Sequence, residues 1–290
     1  MIPSAFDYYA PKTLARAVAL LQQHGEKDAR VLAGGHSLLP LMKLRLALPG
    51  AVIDLGRVPG LNAVKMSKGK IAIGAMATHY QIESSDLLKK RCPLLPETAG
   101  EIGDAQVRNR GTLGGSLAHA DPAADWPAAI LALDAELEVV GPGGKRTIGA
   151  ADFFVDLLTT ALAPGEILSQ IRVTVPPKRS GGAYVKMRQA ASGFALVGVA
   201  AQVTRDRDGS CAAVAIGITG TSKMAFRARA AEEALRGKRP DEAAIRAASG
   251  LATEGIDEFQ EDIHASADYR RHLTQVLTQR ALTKAVERVK

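Results

Sequence analysis

The sequence is poor in cysteine and in aromatic residues: it has two cysteines, Cys92 and Cys211, and aromatics make up 4% of its 290 residues. Two thiols exclude a disulfide-framed fold and fit a reducing compartment. They also exclude a conventional iron–sulfur cluster held by this chain alone, because such a cluster takes four cysteine ligands. With so few rings, the core must be built from Ala, Val, Leu and Ile. There is no apolar run of about 18 residues, the length that signals a membrane span. The opening Met1-Ile2-Pro3-Ser4-Ala5-Phe6-Asp7 lacks the basic stretch and apolar core of a secretory signal, so a cytoplasmic location is expected. Several nucleotide and hydrolase signatures are missing too. No Gly-x-Gly-x-x-Gly follows a strand, no Gly-x4-Gly-Lys-Ser/Thr occurs, and no Gly-x-Ser-x-Gly elbow is present. A Rossmann site, a P-loop and a serine-hydrolase nucleophile are therefore unsupported.

What is present is an ordinary globular balance, 47% hydrophobic and 23% charged. The net charge is +7. Part of that excess lies late, in Arg270, Arg271, Arg280, Lys284, Arg288 and Lys290, spaced along one helical stretch. That spacing is expected to form a solvated helix face. No nucleic-acid-binding pattern accompanies it, so nucleic acid is not an expected partner.

Three segments are expected. The first, 1–55, opens with a helix over Thr13–His24, whose apolar face is Leu14, Ala17, Val18 and Leu21. Short strands follow at Arg30–Ala33 and Ala51–Leu55. The second, 56–176, begins with a hairpin over 61–66 and 70–76. Helices follow near Thr78, at Leu94–Ile102 and at Trp126–Leu133, with a loop over Arg108–Ser116 and strands at Ala135–Val140 and Ile167–Val175. The break Pro176-Pro177-Lys178-Arg179-Ser180-Gly181-Gly182 has the composition of a linker. The third, 177–290, carries three strands (183–189, 195–205, 211–219) and then helices (226–237, 241–252, 267–289). Strands followed by helices make an α+β pattern.

Two glycine loops carry the chemistry: Ala33-Gly34-Gly35-His36-Ser37 after a strand, and Gly111-Thr112-Leu113-Gly114-Gly115-Ser116. Paired glycines reach φ > 0 without a Cβ clash and let successive N–H groups converge on an anion. Ser37, Thr112 and Ser116 add hydroxyls. Facing each other, such loops clamp a diphosphate without lysine. Taken singly, each Gly-Gly is also what a plain tight turn looks like.

Both loops sit in longer motifs. Ala33 to Ala47, which includes Leu38, and Ala105 to Asp125 resemble the two FAD-binding motifs of the medium subunits of molybdenum hydroxylases, the carbon monoxide dehydrogenase and xanthine dehydrogenase family. Glu166-Ile167-Leu168 and Lys186 to Ala200 match later landmarks, so the likeness spans essentially the whole chain. The resemblance implies a two-lobed FAD-binding fold of the vanillyl-alcohol-oxidase type plus a C-terminal α+β domain with a three-stranded antiparallel sheet. It implies diphosphate binding at Ala33, Gly34, Gly35, His36 and Ser37, and at Thr112, Leu113, Gly114, Gly115 and Ser116. Asp125 matches an aspartate on the ribityl or adenosine side, Leu168 an apolar contact, and Lys186 a lysine near the ring. Ile102 and Val107 fall where side chains cover the flavin. The sequence departs at Phe194, where some relatives carry tyrosine or tryptophan.

The resemblance further implies an electron-transfer subunit of an oxidoreductase. A large subunit would carry the molybdenum cofactor and a small subunit two [2Fe–2S] clusters, in a heterotrimer that dimerises to a heterohexamer. The alternative is a stand-alone flavin oxidase with FAD attached at His36. Other single residues have plainer expectations. Arg108 and Arg110 flank the second loop, either as anion partners or as surface charge. His119, Asp121 and Asp125 are expected to serve the following helix as local caps in preference to a metal, and Trp126 to pack in the core or against another subunit.

Overall fold

The computed structural model describes residues 2–289, so Met1 and Lys290 of the expectations above lie outside the described residues. The first segment forms a three-stranded parallel sheet in the order Asp7–Tyr9, Ala51–Asp54, Arg30–Leu32. The helix Leu14–Gln23 is capped by Thr13, whose hydroxyl accepts the Arg16 N–H. Its buried face, Ala17, Val18, Leu20 and Leu21, shares a core with Ile53, Leu55, Leu61 and Ile167. The edge strand Asp7–Tyr9 was not expected from sequence. It is three residues long and mostly exposed, too short for alternation to show.

The second segment builds a five-stranded antiparallel sheet in the order Val64–Ser67, Lys70–Gly74, Ile167–Thr174, Glu136–Gly141, Gly144–Gly149. Its central strand is the last in sequence, so the chain leaves the sheet for the helices between 79 and 132 and later returns through its middle. The expected loop over 108–116 is mostly helix instead. Ala105–Arg110 and Leu113–His119 are helical, broken only at Gly111-Thr112. The cause is capping: Asp104 Oδ1 accepts the Val107 N–H at 2.8 Å, and Thr112 Oγ1 accepts the Gly115 N–H at 3.1 Å.

The third segment is an antiparallel sheet of Ser180–Arg188, Ala195–Arg205, Cys211–Thr219 and the short Phe226–Arg227. The last is a fourth strand where a helix start was expected. The helix begins at Arg229 instead, because the Arg227 guanidinium is drawn to Glu232 and to the Leu131 carbonyl. Glu242–Gly250 and the 21-residue Ala267–Glu287 complete the layer.

The long helix also corrects the expected solvated basic face. Arg270 is 2% exposed and donates to the Gly220 carbonyl and to Asp262 at 2.7 and 2.6 Å. Lys284 and Arg288 both pair with Glu97 of the second segment. Lys284 and Arg288 therefore fasten the third segment to the second, while Arg270 is bound within the third. Thr219 adds to the seam, its hydroxyl lying 2.6 Å from the Pro122 carbonyl and 2.8 Å from that of Ala124. Among the described residues no helix is long and apolar enough to cross a membrane.

Candidate functional site

The strand Arg30–Leu32 runs directly into the first glycine loop. Gly35 takes φ +79°, a left-handed conformation that favours glycine, and the chain then enters the short helix Leu38–Lys43. Within this turn, the N–H groups of Gly34, Gly35, His36, Ser37 and Leu38 have no acceptor among the described residues. Gly34 has a separate duty. A Cβ there would collide with the Arg110 carbonyl and stand 2.8 Å from the Gly111 Cα, so glycine lets the two loops touch.

The second loop behaves differently. The Leu113 N–H donates to Ala77 O at 3.0 Å and the Gly114 N–H to Ala75 O at 2.8 Å. The Gly115 N–H meets the Thr112 hydroxyl, and the Ser116 N–H the Thr112 carbonyl. Its glycines serve close packing: a Cβ on Gly114 would overlap the Ala75 side chain and stand 2.7 Å from the Ala75 carbonyl.

Between the loops lies a cleft of about 570 Å3, within the usual range for small-molecule sites. It is lined by Ala33, Gly34, Gly35, His36, Ser37, Leu38, Ile102, Val107, Gly111, Thr112, Gly114, Gly115, Ser116, Asp125 and Leu168. Two expected residues do not face it. The Leu113 side chain is buried in the core. Lys186, also fully buried, lies behind the wall, with Nζ 2.9 Å from Asp125 Oδ1 and 2.8 Å from the Gly193 carbonyl.

Asp125 is 4% exposed and does not cap the helix it precedes. Its Oδ1 also accepts the Tyr184 hydroxyl at 2.5 Å. Burial raises the Asp125 pKa, against the opposing pull of Lys186 and Tyr184. Burial and the neighbouring Asp125 together push the Tyr184 phenol well above its ordinary value. Through the Gly193 carbonyl, this buried group also braces the segment that carries Phe194, a cleft residue 46% exposed.

Arg108 is drawn away from the cleft: it pairs with Glu83 at 2.8 Å and donates to the Ile102 carbonyl. Trp126 is fully buried, and its indole N–H donates to His79 Nδ1 at 3.0 Å. His79 lines the cleft and was missed in the sequence. The one signal for it was Thr78, which opens its helix with a capping box. Among the described residues no three His, Cys, Asp or Glu side chains gather as metal ligands would.

The donor set fits a dinucleotide. A diphosphate matches a turn of unpartnered N–H groups flanked by hydroxyls, and apolar walls from Val31, Leu38, Leu55, Ile102 and Val107 suit planar rings.

Comparison with known proteins agrees with that fit. Residues 4–177 match the family described as the FAD binding domain in molybdopterin dehydrogenase, and residues 182–285 the CO dehydrogenase flavoprotein C-terminal domain. The chain is 40% identical to the carbon monoxide dehydrogenase medium chain of Hydrogenophaga pseudoflava over 98% of both chains. It is 36% identical to the 6-hydroxypseudooxynicotine dehydrogenase complex subunit alpha of Paenarthrobacter nicotinovorans, covering 100% of this chain and 97% of that one. Among solved structures, carbon monoxide dehydrogenase from Hydrogenophaga pseudoflava, in a form lacking the Mo-pyranopterin moiety of its molybdenum cofactor, superposes with a TM-score of 0.96 at 41% identity over the whole of both chains.

Proposed function

The chain belongs to the FAD-binding medium subunits of the molybdenum hydroxylase family, which includes the carbon monoxide dehydrogenase medium chains, and from that premise we propose that it is the electron-relay subunit of such an oxidoreductase. FAD held in this cleft would supply the redox chemistry of a relay between [2Fe–2S] clusters on a small subunit, fed by a molybdenum cofactor on a large subunit, and an external acceptor. The protein's own part is binding, orientation and electrostatics. The first loop holds the diphosphate through its N–H groups and Ser37. Ser116 and the Thr112–Gly115 turn close the other side. Ile102, Val107 and Leu168 line the apolar walls. Asp125 contributes at the wall it shares with the cleft, held there by Lys186.

The observation that carries this reading is the cleft where the unpartnered N–H turn meets Gly111. Segments 1–55 and 56–176 serve as the two cofactor lobes and 177–290 as the buttress behind them. Assembly as a heterotrimer, paired into a heterohexamer in the cytoplasm, completes the proposal. The hydroxylated substrate is chosen on the large subunit.

The test is to co-express the chain with candidate iron–sulfur and molybdenum subunits, purify the complex and record its visible spectrum before and after acid precipitation. Flavin that leaves with the acid supernatant, in a complex whose clusters reduce on adding carbon monoxide, a purine or an N-heterocycle, supports the relay. A complex with no flavin contradicts it. Flavin retained in the pellet points to attachment at His36, which is exposed on the cleft rim, and to a stand-alone oxidase.

A further inference from the structure

The cleft wall also carries a buried histidine from outside both glycine loops. His79 is 4% exposed, lines the cleft, and begins the helix His79–Ser84. Its backbone is tied to the junction of the two loops: the His79 N–H donates to Gly111 O at 3.0 Å, and Thr78 pairs with Thr112 beside it.

The ring's protonation follows from its partner. The Trp126 indole nitrogen, 3.0 Å from Nδ1, can only donate. Nδ1 is therefore the acceptor, and the proton of the neutral ring sits on Nε2. Burial, with the charges of His36 and Arg108 adding to it, pushes the His79 pKa down to about 4, so the ring is neutral at pH 7. Nε2–H has no acceptor among the described residues.

Gly111 lets the ring sit against the second loop while it still lines the cleft. Its φ of −57° and ψ of 140° suit any residue, yet a Cβ there would stand 2.6 Å from His79 Nε2 and 2.8 Å from Cδ2. Glycine is required there for the close approach of the His79 ring and for no backbone reason.

We propose that His79 is a further cofactor-binding residue, a neutral Nε2–H donor held in that tautomer by Trp126, which hydrogen-bonds an oxygen of the FAD diphosphate where the Gly34-Gly35 turn meets Gly111. The diphosphate is favoured over the ring system because Gly34 packs on Arg110 and Gly111 at this point, so the unpartnered N–H groups of the first loop open onto the same spot. A neutral donor suits it, since a buried cation would add a desolvation cost that a backbone-lined anion site avoids. The inference rests on the FAD assignment above.

The test uses the full chain, in complex with its partner subunits if they are needed to retain flavin. Ring 15N shifts of His79 are recorded without ligand. FAD and ADP affinities are then measured for wild type, His79→Gln and His79→Phe, with thermal unfolding as the check on folding. The expected result is an Nε2–H tautomer at pH 7, a loss of about tenfold or more in affinity for both ligands in His79→Phe, and recovery to within about threefold in His79→Gln, whose amide restores a donor near Nε2. An Nδ1–H ring or an imidazolium at pH 7 would overturn the proposal without reference to flavin. So would a folded His79→Phe that binds FAD like wild type, or one that loses FAD but not ADP. Wild type that binds no flavin even in the complex would instead overturn the FAD assignment, and this inference with it.

Discussion

The two glycine loops share a Gly-Gly pair and a neighbouring serine, yet they use glycine for different ends. In the first, Gly35 supplies a left-handed turn that leaves five consecutive N–H groups without acceptors among the described residues. In the second, those groups are engaged by Ala75, Ala77 and Thr112, and glycine allows a helix to press against a strand end. One loop presents donors and the other holds the wall that faces them. A glycine pattern alone does not distinguish these roles. What does is where each N–H points.

The contrast can be broken by substitution, and the largest effect should come from the wall. Lys186→Met strands the buried Asp125 carboxylate. About 4 kcal/mol of stability should be lost in denaturant unfolding, and Asp125→Asn in the same chain should recover most of it. Recovery of nothing would mean that the Lys186 side chain matters only as packing.

Gly114→Val comes next, at about 3 kcal/mol, because Ala75 cannot retreat from a close-packed strand end. The loss should appear in thermal unfolding with or without flavin. A Gly114→Val chain that stays stable but loses flavin would erase the contrast.

The joint between the loops should show in acid. The His79 pKa of about 4 lies below its unfolded value of 6.5. The unfolded chain therefore binds the extra proton across that window, and stability falls as pH drops from about 6.5 to about 4. The wild type should lose about 3 kcal/mol there relative to His79→Gln; parallel curves for the two proteins would contradict a buried neutral ring.

Gly35→Ala should be the mildest for the fold, about 1–2 kcal/mol of backbone strain, while weakening flavin binding by roughly tenfold. An unchanged flavin affinity would remove the first loop's special standing.

Much of this was legible in the sequence because its causes are local. The strands 195–205 and 211–219 and the helix face of Ala17, Val18 and Leu21 follow from periodicity, and the motifs gave the family. Other features arise between residues far apart. Trp126 meets His79 across 47 positions, and Tyr184 meets Asp125 across 59. No spacing rule relates such pairs. Asp125 looked like a cap because the next residues are helical, but a buried lysine and phenol outcompete the backbone for its oxygens. Arg270 looked solvated because the helix carries charge on several faces, yet the Leu196 and Gly220 carbonyls claim its guanidinium. Helix Leu113–His119 was hidden because two glycines disguise a stretch that Thr112 caps.

The division of labour between the loops is tested most directly by residue-resolved amide hydrogen exchange on the flavin-free and FAD-bound protein. The account predicts that the amides of 113–116 exchange slowly in both states, while those of 34–38 exchange fast without flavin and become protected when it binds. Bound FAD that leaves 34–38 unprotected would contradict it.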